Sequence, residues 1–202
     1  MASVKEVSAK RVAELRARTG AGMMDCKRAL EEAGGDLEKA VDVLRKKGAA
    51  KADTRAGREA SEGLVEAYIH FNGRVGVLVE VNCETDFVAR TEDFKQLVRD
   101  VALHIASAKP LAVRVEDLPG ELVERERKIY EAQAAEEKKP DAVRAKIVEG
   151  RLKKFFEDAV LLEQKFVKDD TRTVGDLVKA LVAKTGENVR IRRFARFELG
   201  GR

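Results

Sequence analysis

The sequence has no tryptophan, three prolines and two cysteines among 202 residues, and aromatic side chains make up only 5%. Cys26 and Cys83 lie far apart and form no C-x-x-C pair, so neither a disulfide framework nor a paired zinc motif is expected. His70 and His104 are the only histidines. We therefore expect two buried, reduced thiols and two ordinary imidazole side chains.

Long apolar runs are missing too. No stretch approaches the roughly 18 apolar residues of a membrane-spanning helix, and Met1–Glu6 lacks the apolar centre of a signal peptide. We therefore expect a cytoplasmic protein without a membrane partner. The charged fraction is 38%, and the 40 basic and 36 acidic residues are interleaved. Interleaved signs favour solvated helices and give little reason to expect direct nucleic-acid binding.

Motifs of nucleotide-binding enzymes are also absent. The sequence contains neither G-x-x-x-x-G-K-[ST] nor G-x-G-x-x-G. The one conceivable nucleophile pair is Cys83 with His70, and nothing in the sequence orients that histidine. Carboxylates are abundant, but solvation of charged helices explains them. The sequence thus predicts a protein that is not an enzyme and that uses no cofactor or metal.

Residues 8–48 predict three short helices. The first ends at the glycine-rich loop 19–22, and the second covers about residues 23–33. Asp36 is expected to cap the third helix, which carries an apolar stripe until Gly48 stops it. Because such a small core is marginally stable alone, we expect this module to bind a partner.

The pattern then changes from helix to strand. Residues 49–63 have no apolar stripe and indicate a solvated linker, with a partly helical segment as the alternative. Asn72-Gly73 between two β-rich runs predicts a hairpin with a two-residue type I′ turn. Pairing Phe71 with Arg74 sets the register and places one set of residues on the core face. That set is Leu64, Tyr68, Val77, Val79 and Val81.

The second half combines helices with one more strand. Thr91 is expected to cap a helix with an apolar stripe, and residues 116–156 predict a charged helical hairpin interrupted at Pro140 and Gly150. A further helix capped by Thr173 precedes a last strand at about residues 189–199. Since that strand is remote from the hairpin, we expect it to join the same antiparallel sheet. The predicted fold class is α+β.

Two apolar features stand outside these stripes. Met23-Met24 follows the glycine-rich loop directly, where partner binding and core packing explain the pair equally well. Phe87 follows Thr85-Asp86 at a corner after a strand. A phenylalanine there most often folds back into its own core. The functional alternative is a wedge at a loop tip, with Asp86 capping the turn or touching a partner.

The same segments resemble signatures of the elongation factor Ts family. Leu15–Leu30 resembles its N-terminal signature and Val79–Arg90 its second signature. Lys146–Leu152 and the run from Gly186 to Phe194 match further on. The likeness extends over residues 8–199, with the motifs in the family's order.

The resemblance implies guanine-nucleotide exchange on elongation factor Tu. In that family the first helices form a module similar to a ubiquitin-associated domain, which docks on the nucleotide-binding domain of Tu. Residues 1–48 correspond to this module. Arg16, Met23 and Met24 would lie at or near the contact.

A second contact is implied for Thr85, Asp86, Phe87 and Val88, which would enter Tu near its Mg²⁺ and phosphate sites. Phe87 would act there as a wedge that displaces groups holding Mg²⁺. Because coupling is reciprocal, the factor expels GDP only if it binds nucleotide-free Tu more tightly than GDP-bound Tu.

The remaining expectations concern assembly. Residues 64–202 correspond to a core domain with a small sheet packed on helices, preceded by the linker 49–63. Longer members carry a second core repeat, so a short chain is expected to form a homodimer through this core. Lys165 stands where proline is usual, and Ala195 stands where some short members have cysteine.

An RNA- or ribosome-binding protein is the main alternative. Basic residues interleaved with aromatics can bind RNA, and the last strand has such a pattern. Its members are Arg190, Arg192, Arg193, Phe194, Arg196 and Phe197. The simpler explanation is an edge strand whose arginines face solvent.

Overall fold

The computed structural model of the chain describes residues 7–136 and 140–201. Met1–Glu6, which argued against a signal peptide, lies outside the described residues. The chain divides into two compact units. The first contains residues up to Leu64, Asn82–Lys95 and Leu177–Arg190, and the second contains Val65–Val81, Gln96–Asp176 and the residues from Ile191 onward.

Helices and strands occur in separate runs along the chain, which is consistent with the expected α+β fold. The helices are α1 (Ala9–Thr19), α2 (Met23–Glu32), α3 (Leu37–Arg55), α4 (Asp86–Ala89), α5 (Glu92–Ala108), α6 (Gly120–Glu136), α7 (Asp141–Ala159) and α8 (Val174–Thr185). The strands are β1 (Glu62–Ile69), β2 (Val75–Cys83), β3 (Lys165–Phe166), β4 (Asp169–Thr173) and β5 (Arg190–Glu198). Of the helices in the described ranges, none has the length and apolar composition needed to cross a bilayer.

The first three helices pack around one small apolar core in the first unit. Ser8 caps α1 by accepting the Arg11 N–H. Asp36 caps α3 by accepting the Lys39 N–H, as predicted. The backbone contact with Lys39 is the main reason why the pKa of Asp36 is lowered. The buried residues of the core are Val12, Leu15, Cys26, Ala29, Leu30 and Ala40.

The expectation that Gly48 ends the third helix is wrong. α3 continues through Gly48 to Arg55, so it includes part of the segment predicted as a linker. A Cβ added at Gly48 would lie 3.1 Å from the Cβ of Ala183 in α8. Glycine therefore permits close approach of two helices within the first unit, which the one-dimensional pattern cannot distinguish from a helix stop.

The three-stranded sheet has the order β1-β2-β5, so the last strand does join the hairpin. The predicted core face is correct: Val77, Val79 and Val81 are buried, and Leu64 and Tyr68 are partly buried. The His70 N–H donates to Val75 O, which agrees with the predicted register.

The predicted type I′ turn is wrong. That turn needs positive φ at both central residues. Gly73 has a φ of 67°, but Asn72 is not among the described residues with positive φ. Instead, the Gly73 N–H donates to His70 O at 2.7 Å and the Arg74 N–H donates to Asn72 Oδ1 at 3.0 Å. The Asn72 side chain thus accepts a backbone N–H of the loop, and the turn forms without a second residue in the left-handed conformation.

The charged helical hairpin is present as α6 and α7, but Gly150 does not interrupt it. α7 runs through Gly150, where an added Cβ would meet no atom of the described residues within 4 Å. An exposed glycine costs a helix about 1 kcal/mol relative to alanine, and burial of Ala134, Val148 and Leu152 between the helices offsets this. The short hairpin of β3 and β4 had no sequence prediction, because β4 is polar throughout.

A buried hydrogen-bond network surrounds His104 in the second unit. Its Nδ1 accepts the Val167 N–H at 3.3 Å, so Nε2 carries the proton and donates to Gln164 Oε1 at 3.0 Å. The amide of Gln164 donates in turn to Ala108 O and Asp158 O. Burial lowers the pKa of His104. In the neutral imidazole, each ring nitrogen has a hydrogen-bond partner.

Candidate partner-binding site

The glycine-rich loop between α1 and α2 is held by hydrogen bonds to the end of α1. Gly20 has a φ of 67° and donates its N–H to Arg16 O at 2.8 Å. The Thr19 hydroxyl donates to Leu15 O at 2.7 Å. A Cβ at Gly20 would be strained and would lie 3.3 Å from Lys184 Cε. The turn thus requires glycine, and it sets the point where α2 begins.

Met23 and Met24 open α2 with side chains that are 56% and 62% exposed. Other residues form the buried face of this helix, namely Cys26, Ala29 and Leu30. Core packing therefore does not account for the methionine pair. Arg16 is exposed as well. Flexible thioether side chains at a surface suit contact with a partner.

The second candidate segment turns the chain from β2 into α5. Thr85 is extended, with φ of −129° and ψ of 154°, and its Oγ accepts the Val88 N–H at 3.4 Å to cap α4. Thr91 Oγ accepts the Phe94 N–H at 3.3 Å and caps α5. The two threonine caps leave a single helical turn between strand and helix.

Phe87 lies in that turn and is 77% exposed, whereas Val88 and Ala89 are buried. The interpretation that Phe87 folds back into its own core is therefore wrong. Asp86 pairs with Arg90, with 2.8 Å between Oδ2 and Nη2. The segment presents an exposed aromatic ring next to a locally neutralised carboxylate, anchored by two buried neighbours.

Glu187 and Asn188, which sequence reasoning did not select as site residues, hold this corner. Thr85 donates its N–H to Glu187 Oε2 at 3.1 Å and its hydroxyl to Oε1 at 2.7 Å. The Asn188 N–H donates to Glu84 Oε1 at 2.6 Å. The family match at Gly186–Val189 was the only sequence signal, and it does not reveal a contact made across 102 positions.

Neither cysteine has the environment of a nucleophile. Burial, followed by the Glu187 carboxylate, raises the pKa of the Cys83 thiol to about 11. Burial also raises the pKa of Cys26. Reactive thiolates need the opposite shift. His70 is engaged with Tyr68, with 3.1 Å between Nδ1 and the phenol oxygen. A thiol enzyme is therefore not supported.

Other candidate chemistry is equally sparse. A cleft of about 430 Å³ between α6 and α7 is lined partly by charges of both signs, including Arg127, Glu131, Arg144 and Glu149. Within residues 7–136 and 140–201, no three His, Cys, Asp or Glu side chains are grouped so as to hold a metal ion.

Three of the four arginines of β5 pair with acidic neighbours. Arg193 Nε lies 2.7 Å from Glu80 Oε2, and Arg192 Nε lies 3.5 Å from Glu80 Oε1. Arg196 Nη1 lies 2.8 Å from Glu198 Oε2. β5 is an edge strand, as the simpler explanation required, and Arg192 and Arg193 face solvent, but the side chain of Arg196 is only 13% exposed. Because phosphate binding depends on available positive charge, this pairing weakens the RNA-binding alternative.

The outward face of the three-stranded sheet carries several exposed apolar side chains. Val65 and Ile69 of β1 are 69% and 66% exposed, Leu78 of β2 is 48% exposed and Phe197 of β5 is 69% exposed. Residues alternate between the two faces of a strand, so Leu78 lies opposite the buried valines of β2, and Val65 and Ile69 lie opposite the half-buried Leu64 and Tyr68 of β1. Apolar patches of this kind mark interaction surfaces.

Comparison with known proteins agrees with the signatures that frame both candidate segments. The family described as Elongation factor TS matches residues 8–201. The chain belongs to the elongation factor Ts family. It is therefore a member of a family of translation elongation factors.

Curated relatives cover almost the whole chain. Elongation factor Ts of Carboxydothermus hydrogenoformans is 61% identical over 194 residues, covering 96% of this chain and 89% of the relative. Elongation factor Ts of Thermotoga maritima is 57% identical over 195 residues, covering 96% and 97%. Elongation factor Ts of Caldanaerobacter subterraneus subsp. tengcongensis is 59% identical over 194 residues, with the same shares.

Proposed function

We propose that the chain is a guanine-nucleotide exchange factor for elongation factor Tu, acting in the cytoplasm. The observation that carries this proposal is Phe87, an aromatic side chain 77% exposed on a capped and anchored turn, in a chain of the elongation factor Ts family. A large apolar side chain kept in water by a rigid corner indicates a surface that is completed by a partner.

In this proposal Thr85–Val88 enters Tu beside its Mg²⁺ and phosphate sites. Phe87 acts as the wedge and displaces groups that hold Mg²⁺, which weakens the grip on GDP. Asp86 contributes a carboxylate at the same edge. The factor accelerates release because it binds nucleotide-free Tu more tightly than GDP-bound Tu, and GTP binding then drives it off. No covalent bond is made or broken by the chain itself.

The three-helix module docks the factor on Tu. We assign this role to residues 1–48, as a module similar to a ubiquitin-associated domain, and exchange and dimerisation to residues 64–202. Exposure of Arg16, Met23 and Met24 supports the docking role, because none of the three is needed in the small core.

The exchange assay tests the function directly. Tu loaded with a fluorescent GDP analogue is mixed with excess unlabelled GDP, with and without this chain, and the release rate is followed by stopped flow. Acceleration that rises with protein concentration to a plateau is expected. An unchanged release rate with properly folded chain would refute the proposal. Steeply salt-dependent binding of RNA in the same preparation would instead favour the RNA-binding alternative.

We further propose that two copies associate through the outward sheet face formed by Val65, Ile69, Leu78 and Phe197. A second copy fits this face because a sheet face can pack on its symmetry mate with identical apolar residues on both sides. The relative from Thermotoga maritima is covered over 97% of its length, which leaves no room there for a second core repeat.

Light scattering over a concentration series tests the dimer. The expected mass is twice 22.4 kDa, and Ile69→Asp should shift the protein towards monomer. Val143→Asp is the control, since Val143 is also exposed but lies on α7. A single-chain mass that persists at high concentration, with exchange intact, would refute the dimer.

A further inference from the structure

The corner that presents Phe87 is tied to the rest of the first unit through Thr85. Both hydrogen-bond donors of Thr85 reach one carboxylate, that of Glu187, at 3.1 Å from the N–H and 2.7 Å from the hydroxyl. Its carbonyl accepts the Cys83 S–H at 3.1 Å and the Ala89 N–H at 3.3 Å. All polar groups of this residue are therefore engaged.

Glu187 makes the long-range part of this arrangement. Among the described residues, the other hydrogen bonds and the ion pair of Thr85–Val88 connect it only to neighbours between Cys83 and Thr91. A helix of one turn has little stability of its own, because nucleation is costly. The orientation of α4 thus depends on what fixes its capping residue.

The carboxylate also decides the direction of the threonine hydroxyl. A carboxylate can only accept, so the Thr85 O–H must point to Glu187. The lone pairs of the same oxygen then remain available for the Val88 N–H, which they accept at 3.4 Å. Charge-assisted bonds of this kind are stronger than neutral ones. Glu187 therefore supports the cap of α4 through the oxygen that forms it.

The segment that carries Glu187 is itself anchored. The Asn188 side chain is 4% exposed and donates to Ala56 O at 3.4 Å and Arg58 O at 2.7 Å. Its backbone N–H donates to Glu84 Oε1 at 2.6 Å. Glu84, which follows β2, thus accepts the backbone N–H of Asn188, and Glu187, which follows α8, accepts the backbone N–H of Thr85. These contacts hold the two segments together and fix the position of Glu187.

We propose that Glu187 is a positioning residue for nucleotide exchange: by holding Thr85 it keeps α4 formed and Phe87 correctly aimed before Tu arrives. The proposal rests on the exchange function proposed above and adds a residue that does not itself enter Tu. A pre-ordered wedge binds better than a mobile one, because less conformational entropy is lost on association.

The first experiment uses the free chain and is independent of exchange. Hydrogen–deuterium exchange is measured for wild type, Glu187→Ala and Asp53→Ala. Asp53 is a control because it makes an exposed ion pair with Lys179 of α8 at 3.9 Å, so its replacement removes the same charge elsewhere. Only Glu187→Ala should accelerate exchange at residues 86–89, with α3 unchanged. Equal protection of residues 86–89 in all three proteins would overturn the proposal.

The second experiment is a double-mutant cycle in the stopped-flow assay at saturating factor. Glu187→Ala should slow stimulated release about tenfold or more, because it removes both charge-assisted hydrogen bonds to Thr85. Asp53→Ala, which removes a carboxylate from an exposed ion pair with Lys179, should stay near wild type, and Glu187→Gln should fall between. In a Phe87→Ala background, loss of Glu187 should add less than about twofold, since coupled residues are not additive.

The outcomes separate the two proposals. If wild type fails to accelerate release, the exchange function is refuted, whereas the hydrogen-exchange result still reports on Glu187. If wild type is active and Glu187→Ala equals it, the positioning role is refuted. Full additivity with Phe87→Ala would also refute it, because Glu187 would then act through something other than the wedge.

Discussion

Phe87→Ala separates a binding residue from a folding residue. A phenylalanine can bury about 150–250 Å², and with 77% of the side chain exposed, Phe87 buries roughly 50 Å² in the free chain. At about 25 cal/mol per Å², truncation should cost about 1 kcal/mol of unfolding free energy or less. The remaining roughly 150 Å² would contribute up to about 4 kcal/mol if fully buried against Tu.

That upper limit corresponds to a factor of up to about a thousand in binding or rate, since about 1.4 kcal/mol is tenfold. Thermal melting and stopped-flow release are measured on the same preparation, and the loss of exchange should be largest when Mg²⁺ is plentiful. Phe94→Ala is the matched control: Phe94 is fully buried in α5, so it should lose about 3–5 kcal/mol of stability. A strongly destabilised Phe87→Ala, or a stable one with normal exchange, would refute the wedge.

Exposure and burial give three further predictions. Replacing Met23 and Met24 by serine should raise the concentration of factor needed for half-maximal release by about tenfold or more and change the plateau rate less; an unchanged half-maximal concentration would contradict docking. Because burial lowers the pKa of His104 below its usual 6.5, the unfolded chain binds the proton more readily, so the melting temperature should fall as the pH drops below that value. His104→Asn should flatten this dependence, and an equally steep curve would place the titration elsewhere. Cys26 and Cys83 are buried thiols with raised pKa values, so dithiothreitol should change neither elution volume nor exchange rate; a shifted elution volume would contradict this.

Local patterns predicted most elements correctly where the deciding interactions are local. Thr91 and Thr173 cap the helices that follow them, because a side-chain oxygen and an N–H a few residues later meet whatever the rest of the chain does. Gly48 shows the limit. A glycine that stops a helix and one that admits a neighbouring helix look the same in one dimension, and Ala183 is what makes the difference.

The same division holds for the candidate site. The sequence identified Thr85–Val88 and Met23-Met24 for two reasons. Both segments contain apolar residues that fit no helix or strand periodicity, and both lie within signatures of the elongation factor Ts family. It left open whether Phe87 points into the core or into water, because a corner residue can do either. Burial of Val88 and Ala89 on the same turn decides that question, and Phe87 is exposed.

By itself, then, the sequence determined the order of most helices and of the three strands of the main sheet, the core face of that sheet and the family. These follow from periodicity, capping and short motifs, which act over a few residues. Only the tertiary structure brought Glu187 to Thr85 across 102 positions and matched the β5 arginines with Glu80. Such contacts depend on how distant segments pack. The residues next to a carboxylate in the sequence do not show which distant donors it will contact.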